Sequence, residues 1–193
     1  MLHCNLAVLL AERGLKITKV SNDTGISRTT LTALCSNRGL GIQFETLNTL
    51  CLYLGVGPEK LINFVPINIK VSGIELDKKS ETCVVTLEIM ENGRTITCSL
   101  PGMTIPDYEL GKLHGMGVQL EFWDEVANSD DPDIINENAT LLRVLKKLPL
   151  GFLKDLEGDI LDGVLSKYED SGDVLDEEGV LSDLYWPYEI RNN

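Results

Sequence analysis

The feature that most constrains this chain is a pair of short helical segments joined by a turn, between residues 14 and 38. The first segment ends at Gly25, a residue that tolerates the positive φ of a tight turn. Ser27 can then cap a second helix with its hydroxyl, and that helix carries Leu31 and Leu34 on one side. The sequence therefore predicts two short helices that meet at a steep angle.

A small residue, Ser21, lies five positions before Ile26 and lets the two helices pack closely. This spacing is typical of a helix-turn-helix, in which the second helix lies in the major groove of DNA. A degenerate bundle of the same kind could instead bind protein. A threonine-rich second helix is weaker evidence for DNA binding than one rich in arginine, lysine or glutamine.

Apolar stripes at helical spacing predict three more helices around this motif. The first ends at Gly14, the fourth ends at Gly55, and the last begins at Pro58, with Leu6, Leu9, Leu10, Phe44, Leu47, Leu50, Cys51, Leu54, Leu61 and Ile62 as the apolar positions. Five short helices, and the string GIQFETLNTLCLYLGVGPEKLI, resemble the Cro/lambda-repressor-like (XRE) helix-turn-helix family. The resemblance covers the N-terminal third of the chain.

The resemblance implies which residues meet DNA. Base edges would be contacted by Arg28, Thr29, Thr32 and Ala33, with Arg28 as the guanine reader. Phosphates would be contacted by Thr18, Ser27, Asn37, Arg38, Gln43 and the backbone around Phe44. Family members often have glutamine at the first position of the second helix, where it contacts a phosphate, whereas this chain has Ile17.

The net charge of −13 runs against the basic surface expected of a DNA-binding protein, but it is unevenly distributed. Residues 1–64 hold six lysine or arginine residues and four acidic ones, a net charge of +2. The other 129 residues hold eleven basic and twenty-six acidic residues, a net charge of −15. This asymmetry predicts two domains with different roles, at 1–65 and 66–193.

Composition places the chain in a reducing compartment. Five cysteines, an odd number without a C-x-x-C pair, favour reduced thiols in the cytoplasm. The sequence shows no signal-peptide pattern and no apolar run of the roughly 18 residues that a membrane span requires, so we expect no membrane association. We also expect no cofactor, because no cofactor-binding motif has its structural context.

The second domain is expected to begin with an antiparallel sheet at about 66–123. Asn92-Gly93 predicts a type I′ hairpin that sets Glu91 opposite Arg94 and Leu87 opposite Cys98. Further strands are predicted at Ile67, Ile69 and Val71 and at Val118, Leu120 and Phe122, separated by a long glycine-rich loop at 101–117. His114 lies in that loop without a second metal ligand, and no catalytic constellation is evident, so we expect no enzyme.

The chain then becomes helical and acidic, at about 134–193. Helices are predicted at Asn136–Leu148 and Phe152–Tyr168, and residues 155–193 hold twelve acidic residues against two basic ones. This region is either a solvated face or a duplex-like acidic surface for a basic protein partner. On the second interpretation, the contacts would be Asp170, Asp173, Asp176, Glu177, Glu178, Tyr185 and Trp186.

The sequence therefore predicts an α+β protein: an all-α five-helix domain, then a small antiparallel sheet with C-terminal helices. The expected function is a homodimeric regulator, a repressor at a bacterial or mobile-element operator, since two half-sites give usable specificity. The alternative is a bifunctional inhibitor, such as an anti-CRISPR protein, that pairs a helix-turn-helix autorepressor with an acidic domain that blocks a nucleic-acid-binding enzyme.

Overall fold

The computed structural model describes residues 1–39, 41–122, 132–176 and 180–187, with the backbone alone for 132–134. The chain forms two compact units, Met1–Val65 and Pro66–Asn193. They are called the N-terminal unit and the C-terminal unit.

The N-terminal unit contains five helical segments: α1 (Leu6–Glu12), α2 (Ile17–Thr24), α3 (Arg28–Cys35), α4 (Phe44–Leu54) and α5 (Pro58–Leu61). Each segment contributes to one buried cluster that includes Leu6, Leu9, Leu10, Val20, Leu31, Leu34, Leu50, Leu54 and Leu61. Burial of these side chains, rather than helix propensity, stabilises helices this short.

A two-stranded ribbon closes the N-terminal unit. Strand β1 (Leu2–Cys4) pairs antiparallel with β2 (Ile62–Phe64), and the amino group of Met1 donates to the carbonyl of Val65 at 2.5 Å. The prediction of an all-α five-helix domain is therefore wrong. Within its described residues, the unit has four helices of at least seven residues, the four-residue turn α5 and a ribbon whose three-residue strands are too short to show alternation.

The C-terminal unit contains a five-stranded sheet with the strands in chain order: β3 (Ile67–Asp77), β4 (Thr82–Glu91), β5 (Arg94–Glu109), β6 (Lys112–Leu120) and β7 (Leu181–Tyr185). Asn92 and Gly93 join β4 to β5 with φ values of 53° and 75°, as a type I′ turn requires. Glu91 lies opposite Arg94 and Leu87 opposite Cys98. The hairpin prediction is confirmed.

The rest of the sheet differs from the prediction. Residues 101–117, predicted as a loop, belong to β5, β6 and the turn between them. A Cβ on Gly115 would lie 3.1 Å from Cβ of Asp107, and one on Gly117 would lie 3.3 Å from Cβ of Ile105. These glycines mark the close approach of two strands, which explains why a glycine-rich stretch forms a strand here.

The acidic tail also contributes to the sheet. Strand β7 pairs in parallel with β6, with Gly117 opposite Asp183. The prediction of a purely antiparallel sheet followed only by helices and a tail is therefore wrong. A parallel pairing requires a long connection, and a long, partly helical segment separates β6 from β7 in sequence.

Two helices, α6 (Pro132–Leu145) and α7 (Leu150–Asp170), lie against the sheet near the predicted positions. Helix α7 contacts β3 closely, because a Cβ on Gly163 would lie 2.5 Å from Cδ1 of Ile74. Its buried residues follow a spacing of four, Phe152, Leu156, Ile160, Val164 and Tyr168. Across the described ranges, no helix combines the length and hydrophobicity needed to cross a membrane.

Candidate nucleic-acid interface

Local hydrogen bonds fix the turn between α2 and α3. Gly25 ends α2 with a φ of 75°, and its N–H donates to the carbonyl of Ser21 at 2.9 Å. The Ser21 hydroxyl donates to the carbonyl of Ile26 at 2.7 Å. Thr24 Oγ1 donates to the carbonyl of Val20 at 2.6 Å and accepts from the N–H of Ile26 at 3.3 Å. The side chains of the turn thus satisfy the backbone groups that it leaves unpaired.

Helix α3 begins as the sequence predicts. Ser27 has extended backbone angles, and its hydroxyl accepts the N–H of Thr30 at 3.0 Å. The predicted N-cap is therefore confirmed. The Ser27 hydroxyl oxygen already accepts the cap hydrogen bond. A phosphate contact from Ser27 would therefore use the hydroxyl hydrogen as a donor.

The two sides of α3 differ in burial. Arg28, Thr29 and Thr32 are exposed, whereas Leu31 on the other side is fully buried. Ala33 is half-buried and lies at the border between the two sides. The four residues predicted to contact bases thus share one side of α3, with the three polar ones facing solvent.

The residues predicted to contact phosphates fall into two groups. Thr18, Ser27, Arg38 and Gln43 have exposed side chains. Gln43 is the N-cap residue of α4, and Phe44 after it is 90% exposed. The sequence placed Phe44 on the apolar stripe of α4. That assignment is wrong, since the first-turn position lies at the edge of the stripe and turns away from the core.

Asn37 forms the second group by itself. It has a φ of 53°, in the left-handed region that asparagine tolerates better than most residues. Its Oδ1 accepts from the N–H of Cys4 at 2.6 Å, and its Nδ2 donates to the carbonyl of Cys4 at 3.3 Å. Both polar groups of this side chain bind β1, so a phosphate contact from the side chain would use the second N–H of Nδ2.

One basic residue, Lys16, lies next to the position where the family often has glutamine. Ile17 is half-buried and packs against the core, so it offers no polar contact. The exposed residue just before it is Lys16, the N-cap residue of α2. Lys16 was not among the phosphate contacts predicted from sequence, and its exposed ammonium group makes it a further candidate for one.

A short network connects α2 to α4. Asp23 Oδ2 accepts from the Tyr53 hydroxyl at 2.6 Å and from Lys19 Nζ at 2.9 Å. These two bonds, with Tyr53 the larger cause, hold the pKa of Asp23 below its ordinary value. The network fixes α2 against its neighbour and pairs the positive charge of Lys19.

Two of the five acidic residues predicted as partner contacts, Asp173 and Asp176, bind side chains of their own unit. Asp173 accepts from Lys78 and from the Tyr108 hydroxyl, the latter at 3.0 Å. Asp176 Oδ2 lies 3.0 Å from Nδ1 of His114. Asp170 is exposed, and the remaining predicted contacts of this group, Glu177 and Glu178, lie outside the described residues.

The two described aromatic residues of the tail that were predicted as partner contacts differ in burial. Trp186 is 5% exposed, and its Nε1 donates to Oε1 of Glu157 on α7 at 2.8 Å. Tyr185 is 43% exposed on the outer side of β7. Tyr188, grouped with them in sequence, lies outside the described residues. Trp186 therefore packs into the C-terminal unit, and Tyr185 is the one of the two that is accessible.

Metal binding depends on how the described His, Cys, Asp and Glu side chains are arranged. In the part of the chain that the structure describes, no three or more His, Cys, Asp or Glu side chains are placed to hold a metal ion. His114, the candidate considered in sequence, is paired with Asp176.

Comparison with known proteins finds a family match in the N-terminal third of the chain. Residues 5–66 match the family model of the Cro/C1-type helix-turn-helix DNA-binding domain. The N-terminal third of the chain is a Cro/C1-type helix-turn-helix domain. A crystal structure of a candidate DNA-binding protein from Bacteroides fragilis is 28% identical over 33% of this chain and 100% of its own length, with a TM-score of 0.31. No curated protein matches the chain.

Proposed function

We propose that the chain is a sequence-specific DNA-binding regulator that contacts its operator through α3. The observation that carries the proposal is the exposed row of Arg28, Thr29 and Thr32 on the second helix of a Cro/C1-type domain. The guanidinium fork of Arg28 matches the two major-groove acceptors of guanine. The threonines can donate a hydrogen bond or contact a thymine methyl group.

The distribution of charge supports the same function. The basic residues of the N-terminal unit give it a net positive charge, whereas the rest of the chain is strongly acidic. Phosphates attract the first and repel the second. DNA therefore meets the helix-turn-helix and not the sheet.

A dimer and repression complete the proposal. One recognition helix reads only a few base pairs, so two copies on two half-sites are needed for useful specificity. A dimer on a bacterial or mobile-element promoter represses by occupying it, which requires no catalytic step and no cofactor. Such a regulator acts in the cytoplasm, where its operator is.

The direct test is binding of the full chain to DNA from upstream of its own gene. Fluorescence anisotropy compares that duplex with a scrambled duplex of the same composition at physiological salt. We expect a preference on the order of 10³ for the upstream duplex. Equal affinity for the two duplexes would contradict sequence-specific regulation from this promoter.

The alternative proposal is an inhibitor that binds a nucleic-acid-binding enzyme through the acidic C-terminal unit. Its main support is now the net negative charge of that unit. Asp173 and Asp176, two of its five acidic contacts, bind Lys78, Tyr108 and His114 of the same unit. Carboxylates that already form hydrogen bonds or ion pairs within the unit contribute less to the binding of a basic protein. We therefore place DNA-binding regulation first, and capture of a basic partner by the C-terminal unit remains the competing proposal.

A further inference from the structure

A cavity of about 610 Å³ lies in the N-terminal unit, next to the end of α3. Its volume falls in the range of small-molecule binding sites, which is roughly 300–1,000 Å³. Most of its lining is apolar and comes from β1, α3, α4, α5, β2 and the segment before α4, with Leu2, Cys4, Leu34, Ile42, Leu47 and Ile62 among the residues involved.

One carboxylate lies at this apolar cavity. Glu59, on α5, is exposed and lines it. The carboxylate folds back over Gly57, where a Cβ would come within 2.2 Å of Glu59 Oε2. Because glycine has no side chain, the Glu59 carboxylate can lie against Gly57 in this position.

We propose that this cavity binds a small organic cation, a molecule with an apolar body and one ammonium group. The apolar walls gain free energy by burying the body of the ligand. The Glu59 carboxylate attracts the ammonium group and repels an acid of the same shape. Because an exposed ion pair contributes little, the apolar body supplies most of the affinity and Glu59 supplies the selectivity.

The cavity also borders the helix that we propose reads DNA. Ala33 and Asn37, predicted contacts of a base and a phosphate, both line it. An occupant that contacts them competes with DNA for the same surface. This part of the inference rests on the proposed function and predicts that the ligand lowers operator affinity.

The test of binding uses the full chain, labelled with ¹⁵N and titrated with 1-naphthylmethylamine, 1-naphthylmethanol or 1-naphthoate at low ionic strength, where the ion pair with Glu59 is least screened. We expect the amine to cause saturable amide shifts at cavity residues such as Leu34, Ile42 and Leu47. We expect the amine to bind about two- to fivefold more tightly than the alcohol, as an exposed ion pair allows, and the acid to bind more weakly than both.

Two matched variants locate the selectivity. Glu59→Gln should equalise the affinities of the amine and the alcohol. Glu45→Gln removes the same charge from an exposed glutamate on α4 that does not line the cavity, and it should leave the preference unchanged. A Gly57→Ala variant, which displaces the carboxylate without removing its charge, should weaken the preference.

The outcomes separate the two parts of the inference. Absence of saturable shifts at the cavity, or an amine preference that persists in Glu59→Gln, overturns the site. If the amine binds there but leaves operator affinity unchanged, the competition with DNA is overturned. A chain that binds the amine but never prefers its upstream DNA would overturn the proposed function and support the cavity, since the titration requires no DNA.

Discussion

At the residue scale, the end of α3 depends on a side chain that the sequence assigned to another role. Asn37 was predicted to contact a phosphate, and the structure places its amide against the backbone of Cys4. The two residues are 33 positions apart, so no local pattern could reveal the contact. The cap at Ser27, by contrast, was predictable because the capping residue and its helix are adjacent in sequence.

We predict that Asn37→Ala lowers the free energy of unfolding by about 1–3 kcal/mol, since it removes both bonds to Cys4 and leaves a part-buried N–H without its acceptor. Urea denaturation of the full chain measures the change. Asn37→Gly is the control for backbone strain, because glycine accepts the positive φ but makes neither bond. Unfolding of Asn37→Ala at the wild-type urea concentration would contradict the structural role.

At the scale of secondary-structure elements, the sequence predicted those elements whose geometry is set by residues close together in the chain. The Asn92-Gly93 turn and the alternating strands beside it gave the register of the hairpin, because turn type and strand pattern act together. The extension of β5 through Pro101 and Pro106 was missed, since proline and glycine ordinarily interrupt strands. Strand β7 and the ribbon were missed because their pairing partners are distant in sequence.

We predict that Gly102→Ala destabilises the C-terminal unit by about 1–3 kcal/mol, the usual cost of forcing atoms into a packed site. A Cβ there would lie 2.5 Å from the carbonyl oxygen of Gln119, a backbone atom that has little freedom to move. Thermal unfolding measures the effect. Gly158→Ala is the matched control, because it adds the same methyl group to α7 with nothing within 4 Å.

The control should stabilise α7 by about 0.5–1 kcal/mol, since alanine loses less backbone entropy than glycine in a helix. If Gly102→Ala were stabilising as well, the close strand packing of β5 and β6 would be wrong.

The segment after α7 is attached to β6 by a pair that titrates. The hydrogen bond to Asp176 raises the pKa of His114 above the ordinary value of 6.5, and the nearby acids Glu109 and Asp107 act in the same direction. A raised pKa in the folded state means that the pair stabilises fully below pH 6.5. That stabilisation is lost as pH rises through the folded pKa.

We predict that the melting temperature falls more steeply with rising pH above 6.5 in the wild type than in His114→Gln, which cannot gain a proton. Thermal unfolding of the full chain, followed from about pH 6 to about pH 9, gives the two profiles. Parallel profiles would show that the His114–Asp176 pair does not contribute to the pH dependence.

At the scale of the whole molecule, the chain combines a Cro/C1-type domain with an acidic unit of mixed helix and sheet. The sequence predicted the boundary through the change in charge, and it predicted the N-terminal domain through a motif whose residues are contiguous. It could not predict the cavity, because the cavity's walls come from both ends of the N-terminal unit and exist only after β1 has paired with β2.

We predict that the full chain is a dimer in solution and on its operator, and that residues 1–64 alone, which lack the dimer contacts expected downstream of Val65, bind the operator more weakly. The reason is geometric, since two recognition helices must reach two half-sites at once. Multi-angle light scattering, with and without DNA, gives the mass directly. A monomer under both conditions would contradict the dimeric repressor.

The central claim is that α3 reads base edges through Arg28, and its most direct test is the affinity of Arg28→Ala for operators substituted at single base pairs. We predict a loss of about 1–3 kcal/mol that falls mainly at one guanine, and reduced discrimination at that position. Lys60→Ala removes one positive charge from the same unit away from α3 and should lower affinity only slightly, for every operator alike. If Arg28→Ala kept the wild-type affinity and the same preference at every guanine, with its circular dichroism spectrum unchanged, α3 would not read the operator through Arg28.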